Sequence, residues 1–565
     1  MKKVIIIGGG VAGMSAAHEL IERGFSVEVY EKHKKYVGGK ARSVDVNFDQ
    51  FPQSPPFPGE HGFRFFPGFY KHVIDTMSRI PFRRKDGSMG KVVDNLVPTH
   101  RMRMAQEGKK SIINIVSFPR SLDDLKTLIN AMHSDTGLTG EEKHFFAEKV
   151  WQLMSSCMDR RSAEYEKISW WDYLEADRFS DTYRSLFVQG LTRTLVAANA
   201  KKASTKTGGD IFLQLIFNMT NPEIETDRVL NAPTNDAWLN PWIEYLTQKG
   251  VVYHHNCEAL QLDSKDGNIS GVQIRDHDKG ESLVAKGDYY ILATPVERAA
   301  TLISEEIKQL DPNLQGVIDL SPSVAWMNGA QYYLTEKANI VDGHCIYSDS
   351  KWALTSISQL QFWQDYDISR LGDGSIHSVL SVDISDWDTP GHNGKPAKDC
   401  SHVEIKDEIW TQISKSLNVN GEHVIPDKVP ELWYIDGDIK ELKNQGPTRE
   451  ENEEPLLVNT VDSWKLRPDA ATRIPNFFLA SDYVRTYTDL ATMEGANEAA
   501  RRAVNGILDH MSSGSERCAI WNLHEPNVLR PFRDHDQKRF DEGLPYQVWI
   551  PWWLRIIQFI RGLFK

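Results

Sequence analysis

The alternation of apolar and polar positions changes period twice close to the N-terminus. Val4-Ile5-Ile6-Ile7 is a continuous apolar run, which predicts a buried strand. Gly8-Gly9-Gly10-Val11-Ala12-Gly13 follows without a break, and the apolar positions then recur at helical spacing. A second strand is predicted over Ser26-Val27-Glu28-Val29-Tyr30, ending at Glu31. Strand, glycine turn, helix, strand and acid together form one mononucleotide-binding βαβ unit. Gly8 allows the tight turn, Gly10 lets backbone approach a pyrophosphate, and Gly13 lets helix and strand pack closely. The helix N-terminus, with Ala12 in its first turn, offers unpaired N–H groups and a partial positive charge to phosphates. Glu31 is placed to accept hydrogen bonds from ribose hydroxyls, with Lys32 beside it.

The dinucleotide is narrowed by what comes next. Val37-Gly38-Gly39-Lys40-Ala41-Arg42-Ser43 gives a second glycine approach to a diphosphate, with Lys40 and Arg42 as counter-charges. The stretch GGGVAGMSAAHEL…VYEK…GGKARS resembles the FAD-binding N-terminus of the amine oxidase and phytoene desaturase superfamily. Near the other end, Asn476-Phe477-Phe478-Leu479-Ala480-Ser481-Asp482 reads as a short strand ending in an acid. Met493-Glu494-Gly495-Ala496-Asn497-Glu498-Ala499-Ala500 opens a helix. This resembles the closing motif of the same superfamily, with Ser481 where the family has glycine. The resemblance implies that Asp482 binds the ribityl or pyrophosphate region. It also implies that the helix opening at Met493, Glu494, Gly495 and Ala496 points its N-terminus at the flavin pyrimidine.

The resemblance further implies an α/β fold. Its Rossmann-like FAD-binding domain is discontinuous, over residues 1–70, 240–300 and 456–510, and carries an inserted α+β substrate domain. In the middle piece, Ala259 is expected to meet the adenine, and Ala293 and Thr294 to end a strand under the nucleotide. The substrate domain is assigned to residues 71–239 and 301–455. Residues 71–240 read as mainly helical, with helix-spaced apolar positions over 122–132, 141–154, 171–174 and 183–198. The second insertion mixes strands near 330–334 and 377–384 with a helix near 403–416. Residues 390–396 and 443–454 read as exposed loops.

Candidate chemistry concentrates in Gly59-Glu60-His61-Gly62-Phe63-Arg64-Phe65-Phe66-Pro67-Gly68-Phe69-Tyr70, which sets titratable side chains among aromatics. In the family the equivalent stretch runs past the isoalloxazine ring, so Gly62, Phe63 and Arg64 are expected at the cofactor. Glu60, His61 and Arg64 are the catalytic candidates, His61 as base or electrostatic partner. The alternative is that His61 and Arg64 only bind cofactor and backbone. Amine oxidases of the family commonly carry an aromatic cage and a lysine near the flavin, for which Trp464-Lys465 is the candidate. Thr192-Arg193-Thr194 and Arg485 are further candidates for substrate or phosphate contact. Around Ser350-Lys351-Trp352 and Trp363, core packing is favoured over a pocket.

The chain has 565 residues and a net charge of -13, which argues against a general nucleic-acid binder. Its five cysteines are scattered, so zinc, iron–sulfur and disulfide frameworks are unsupported. His254-His255 and Asp276-His277-Asp278 read as solvated surface, and no metal is expected. The first strand begins at the N-terminus, which leaves no room for a signal peptide and suggests a reducing, cytoplasmic location.

Residues 511–545 read as a polar, irregular tail. In 549–565, Arg555, Gln558, Arg561 and Lys565 fall on one helical arc, with Trp552, Trp553, Ile556, Ile557, Ile560 and Leu563 opposite. This predicts an amphipathic helix lying in a membrane surface, or else docked on protein or on a second subunit of a homo-oligomer. The expectation is an FAD-dependent oxidoreductase that removes hydride from a C–H bond of an apolar, lipid-like substrate. The electrons would pass on to oxygen or a quinone. A flavin amine oxidase, or a redox-neutral isomerase or hydratase, is the alternative.

Overall fold

The structure, a computed structural model, describes residues 1–116, 136–190, 199–442 and 449–549, and also 124, 126 and 127. A five-stranded parallel sheet lies at its centre. The strand order is Val252–His254, Ser26–Tyr30, Lys3–Ile7, Tyr289–Leu292, Phe477–Leu479. Val4, Ile5 and Ile6 are fully buried, which is why an unbroken apolar run suits this strand. Helix Val11–Glu22 packs along helix Met493–His510. Trp238 and Trp242 stack at 5.8 Å, and Trp242 donates to His18 Nδ1 at 3.1 Å.

Beside this sheet lies an antiparallel meander, Cys257–Lys265, Asn268–Asp276 and Glu281–Ala285. Its first turn uses Asp266 and Gly267, both at positive φ, as an Asp-Gly hairpin requires.

The second large element is a seven-stranded mixed sheet. Its order is Leu432–Ile435, Asn328–Leu334, Ser378–Ile384, Leu354–Ser358, His344–Tyr347, Arg101–Gln106, Lys109–Ile115. Alternation divides its third strand, Ser378–Ile384. Leu380, Val382 and Ile384 face helix His402–Leu417 in one core, while Ser381 and Asp383 face the other way. Trp352 and Trp363 are packed into apolar cores.

Several expectations need correction. Residues 71–240 are not only helical: Arg101–Gln106 and Lys109–Ile115 form a hairpin that completes the seven-stranded sheet. Its Arg-Met-Arg-Met alternation carries the strand period, but it is too short and too charged to stand out beside the helical segments. The helical reading holds at Gly140–Ser155, whose N-terminus is closed by a capping box between Thr139 and Glu142. Most of 122–132, together with 191–198 and hence Thr192-Arg193-Thr194, lies outside the described residues. The stretch 443–454 is not simply a loop, since Arg449–Asn452 pairs with Ile439–Leu442.

The tail is not irregular either. Arg530–Asp541 is a helix with Pro531 in its first turn, and Asp536 is buried against Arg160 at 3.0 Å and accepts from the Cys157 N–H at 2.9 Å. Residues 550–565, which hold nearly all of the expected amphipathic helix, lie outside the described residues. Trp549 just before them stacks on His535 at 4.6 Å.

Candidate functional site

The glycine turn is built as its spacing requires. Gly8 sits at φ 103°, and a Cβ there would lie 2.8 Å from the carbonyl oxygen of Ala293. A Cβ on Gly13 would lie 1.9 Å from the Gly8 carbonyl oxygen, so helix and strand close on each other at that point. Gly10 differs. It caps helix Val11–Glu22 at φ −70°, and a Cβ on it would meet nothing nearer than Gly39 Cα at 3.7 Å. It faces open space, beside the second glycine pair. Glu31 reaches back into this turn, accepting from the N–H of Gly9 at 2.7 Å and of His33 at 2.6 Å. Burial raises its pKa, and these two donors oppose the rise without cancelling it.

The open space is an elongated cavity of 640 Å³ between the carboxyl ends of the parallel strands and the seven-stranded sheet. A crevice at that end of a parallel sheet is where such folds bind ligands. Of the residues expected at the cofactor and of the catalytic candidates Glu60, His61 and Arg64, all line it except Gly13, Glu60, Glu494 and Gly495. Ser481 lines it too, and its hydroxyl donates to Asp482 at 3.2 Å.

Two of the four exceptions change the reading. Glu60 is not a free catalytic carboxylate: it is 2% exposed and accepts from both the N–H and the hydroxyl of Thr234. Burial pushes its pKa up to about 7. Glu494 is not a cofactor contact. It turns away from the cavity and accepts from the N–H groups of Lys71, His72 and Val73 and from the His72 ring, closing the start of helix His72–Arg79. Gly495 serves the helix end, its N–H donating to Thr492 Oγ1 at 3.1 Å.

The counter-charges also differ from expectation. The Arg42 guanidinium is held by both carboxylate oxygens of Asp438, at 2.9 and 3.0 Å, rather than being free for a diphosphate. Lys40 bonds the Pro455 carbonyl and lies 4.0 Å from Glu297. Lys32 pairs with Glu258 at 3.0 Å. The Trp464-Lys465 candidate is absent from the lining: Lys465 is exposed and paired with Asp462, and the Trp464 ring is covered by the Lys206 ammonium. Arg485 bonds the Lys465 carbonyl instead of the cavity.

At the far end of the cavity the chain assembles a charged cluster that local motifs did not reveal. His61 Nδ1 lies 2.5 Å from Asp436 and 3.4 Å from Asp438. Burial would lower the His61 pKa, but the two aspartates outweigh it and lift it to about 9. Asp438, disfavoured by burial but stabilised by His61 and Arg42, falls to about 2. Arg64 donates to the carbonyls of Ala41 and Lys40. Asp383 completes the group. It is 8% exposed, lines the cavity, and its Oδ1 has no hydrogen-bond partner. Burial raises its pKa to about 7, against the pull of Arg64 and His61.

His61, Asp436 and Asp438 bring three ligand atoms within 4.8 Å of one another. Arg42 and the imidazolium already balance the two carboxylates there, so the group is neutralised without an ion. The other histidine pairs serve the surface: His254 stacks on Tyr30 at 4.4 Å, and Asp276 closes a turn onto Lys279.

The donor set suits a dinucleotide. Two glycine backbones meet at a helix N-terminus, with an acid at the end of the second strand and a long cavity leading away from both.

The comparisons agree. The profile of a protein family described as flavin containing amine oxidoreductase matches residues 11–508. Among curated proteins, the chloroplastic/chromoplastic zeta-carotene desaturase of Capsicum annuum is 24% identical over 538 residues, covering 90% of this chain and 81% of its own. The zeta-carotene desaturase of Synechocystis sp. is 23% identical over 539 residues, covering 90% and 97%. Among solved structures, cyclohexylamine oxidase from Brevibacterium oxydans superposes with a TM-score of 0.58 at 12% identity, over 90% of this chain and 99% of that one. Putrescine oxidase bound to putrescine gives 0.56 at 13%, over 90% and 98%. At those identities the two structures speak for the fold alone.

Proposed function

Because the chain belongs to the family of flavin containing amine oxidoreductases and is an FAD-dependent enzyme, we propose that it is a desaturase or dehydrogenase of an apolar, lipid-like substrate. The observation that carries this reading is similarity to zeta-carotene desaturases along 90% of the chain. The cavity supports it. Phe63, Phe65 and Met327 line the same space as His61 and Asp383, and the Trp464-Lys465 pair that would favour an amine lies elsewhere.

When bound, FAD supplies a two-electron acceptor for hydride. The chain's part is binding and positioning. The Gly8–Gly10 turn and the helix start at Val11 hold a diphosphate, and Glu31 holds a ribose. Gly38 and Gly39 bring a second stretch of backbone close, and Asp482, Met493 and Ala496 line the wall beyond. The aromatic side chains of Phe63 and Phe65 exclude water from the reacting carbon.

The tail supports a membrane-facing enzyme. Among the described residues no helix is long and apolar enough to cross a membrane. The sequence of 549–565 instead suits an in-plane helix that meets anionic lipid through its basic arc. This reading makes the protein a peripheral membrane enzyme whose electrons leave to oxygen or a quinone.

Anaerobic mixing with zeta-carotene in phosphatidylcholine vesicles tests the reading. Bleaching of the visible flavin band together with a product of longer conjugation is expected. Bleaching by a primary amine but not by the carotene would turn the assignment to an amine oxidase. Product formed without net oxidation would turn it to the redox-neutral class.

A further inference from the structure

Abstraction of hydride is half of a desaturation. The neighbouring carbon must also lose a proton, and that proton needs an acceptor beside it in the cavity. The three residues that the sequence nominated cannot accept it. Both Glu60 carboxylate oxygens are engaged by Thr234. His61 is held as an imidazolium by Asp436 and Asp438, and the Arg64 guanidinium has no lone pair to offer. Asp438 is tied to Arg42, both of its oxygens accepting from one guanidinium nitrogen. Among the described acids in this cluster, one lines the cavity with a bare oxygen.

We propose that Asp383 is the catalytic base of this site, the carboxylate that takes the substrate proton as the double bond forms. This rests on the desaturase reading. One C–H bond breaks with its electron pair departing as hydride to FAD. The vicinal C–H bond breaks, its pair becomes the π bond, and its proton goes to Asp383.

The fold makes a place for this carboxylate. Asp383 stands on an interior strand of the seven-stranded sheet, Ser378–Ile384, opposite Gly329, on the face away from helix His402–Leu417. A Cβ on Gly329 would lie 2.9 Å from Asp383 Oδ1, and one on Gly62 only 2.7 Å. Two glycines from two different segments thus leave the room that one carboxylate fills.

The charged groups facing it come from every element around it. Arg64 and His61 lie on the segment after Phe57–Glu60, His344 on the strand next but one, and Asp436 after Leu432–Ile435. His344 is itself oriented by Asp227 at 2.7 Å and flanked by the rings of Phe63 and Phe65. Arg64 and the His61 imidazolium stabilise an ionised carboxylate, while burial and Asp436 keep it basic. The result is a group near neutral, where a general base works best.

The test compares wild type, Asp383→Asn and Asp383→Glu, all holding FAD. Anaerobic flavin reduction by zeta-carotene in phosphatidylcholine vesicles is followed between about pH 5 and pH 9. In wild type the rate should rise with pH to a plateau above about pH 7, as the base ionises. Asp383→Asn should keep its FAD yet reduce at least about a hundredfold more slowly, without that limb. A wild-type rate in the Asn variant overturns the proposal. Should Asp383→Asn lose FAD, Asp383→Glu is read instead. It keeps a carboxylate with a different pKa, and an unshifted limb overturns the proposal.

A second readout needs no turnover. A carboxyl whose pKa is raised on folding costs stability as pH rises from its unfolded pKa through its folded one. The melting temperature of Asp383→Asn relative to wild type should therefore climb between about pH 4 and pH 7. If wild type is not reduced by the carotene at all, the desaturase reading has failed. The melting curves then decide Asp383 alone, and parallel curves at every pH overturn its role as the proton-binding group of the cavity.

Discussion

Gly10 and Gly13 belong to one glycine motif, and the structure separates what each is for. A Cβ on Gly13 would sit 1.9 Å from the Gly8 carbonyl oxygen, which is backbone and cannot move aside. A Cβ on Gly10 would meet Gly39 Cα at 3.7 Å, an ordinary contact, on a residue whose φ of −70° suits any side chain. Gly10→Val should therefore fold as well as wild type and fail only at the cofactor. Its side chain would fill the space where the diphosphate meets the helix N-terminus. Losing two charge-assisted hydrogen bonds there costs roughly 3–6 kcal/mol, a rise of about 10²–10⁴ in the Kd for FAD. Gly13→Ala should lose stability outright, by about 1–3 kcal/mol or more, as an overpacked core position does. The assay is differential scanning fluorimetry of the apoproteins, with FAD titrated by quenching of its fluorescence. A Gly10→Val protein that binds FAD like wild type would refute the reasoning. So would an apoprotein of Gly10→Val that melts as early as Gly13→Ala, because the empty space beside Gly10 would then not be the cofactor's.

Three further outcomes follow from contacts described above. Glu31→Ala should weaken FAD binding by about 1–3 kcal/mol with little change in turnover at saturating FAD, measured by fluorescence titration and initial rates. Glu494→Ala leaves three backbone N–H groups at the start of helix His72–Arg79 unpaired. It should destabilise the protein by roughly 3 kcal/mol or more in denaturant titration, and Glu494→Gln by less. Asp536→Ala leaves the fully buried Arg160 with Glu164 and the Leu544 carbonyl but frees its Nε and the Cys157 N–H, a loss of about 1–3 kcal/mol, and should expose the chain after residue 529 to limited proteolysis while the protein stays yellow.

The parallel sheet was legible because its order is written locally. An apolar run buried on both faces, a glycine turn and an acid at the next strand's end are each confined to a few consecutive residues. The hairpin Arg101–Ile115 was not legible for the opposite reason. It lies on the edge of the seven-stranded sheet, where Lys109, Lys110 and Ile113 are exposed, and its pairing partner His344–Tyr347 is more than two hundred residues away. Helix Arg530–Asp541 escaped because its mean composition is polar. Only Phe532 and Asp536 are buried, and Asp536 is there to meet an arginine rather than a core.

At the site the same division holds, and it explains why sequence reading stopped at His61. The segment Gly59–Tyr70 announces itself, because titratable and aromatic residues crowd into one short stretch. What those residues can do is decided by acids that have no motif of their own. Asp436 and Asp438 follow an edge strand and turn His61 from a base into a cation. Asp383 carried one faint mark: within Ser378–Ile384, Leu380, Val382 and Ile384 make one apolar face, and an aspartate on the other face of an interior strand needs a reason to be there. Burying that carboxylate without a partner disfavours its charge, and a fold keeps such a residue where the charge is used. The glycines at 62 and 329 point the same way, since each is small at the one place where a side chain would displace Asp383. Chemistry that depends on one group near neutral pH is thus assembled from three distant segments. The signal in each is an absence of bulk or of a partner, and it has no meaning until the sheet brings them together.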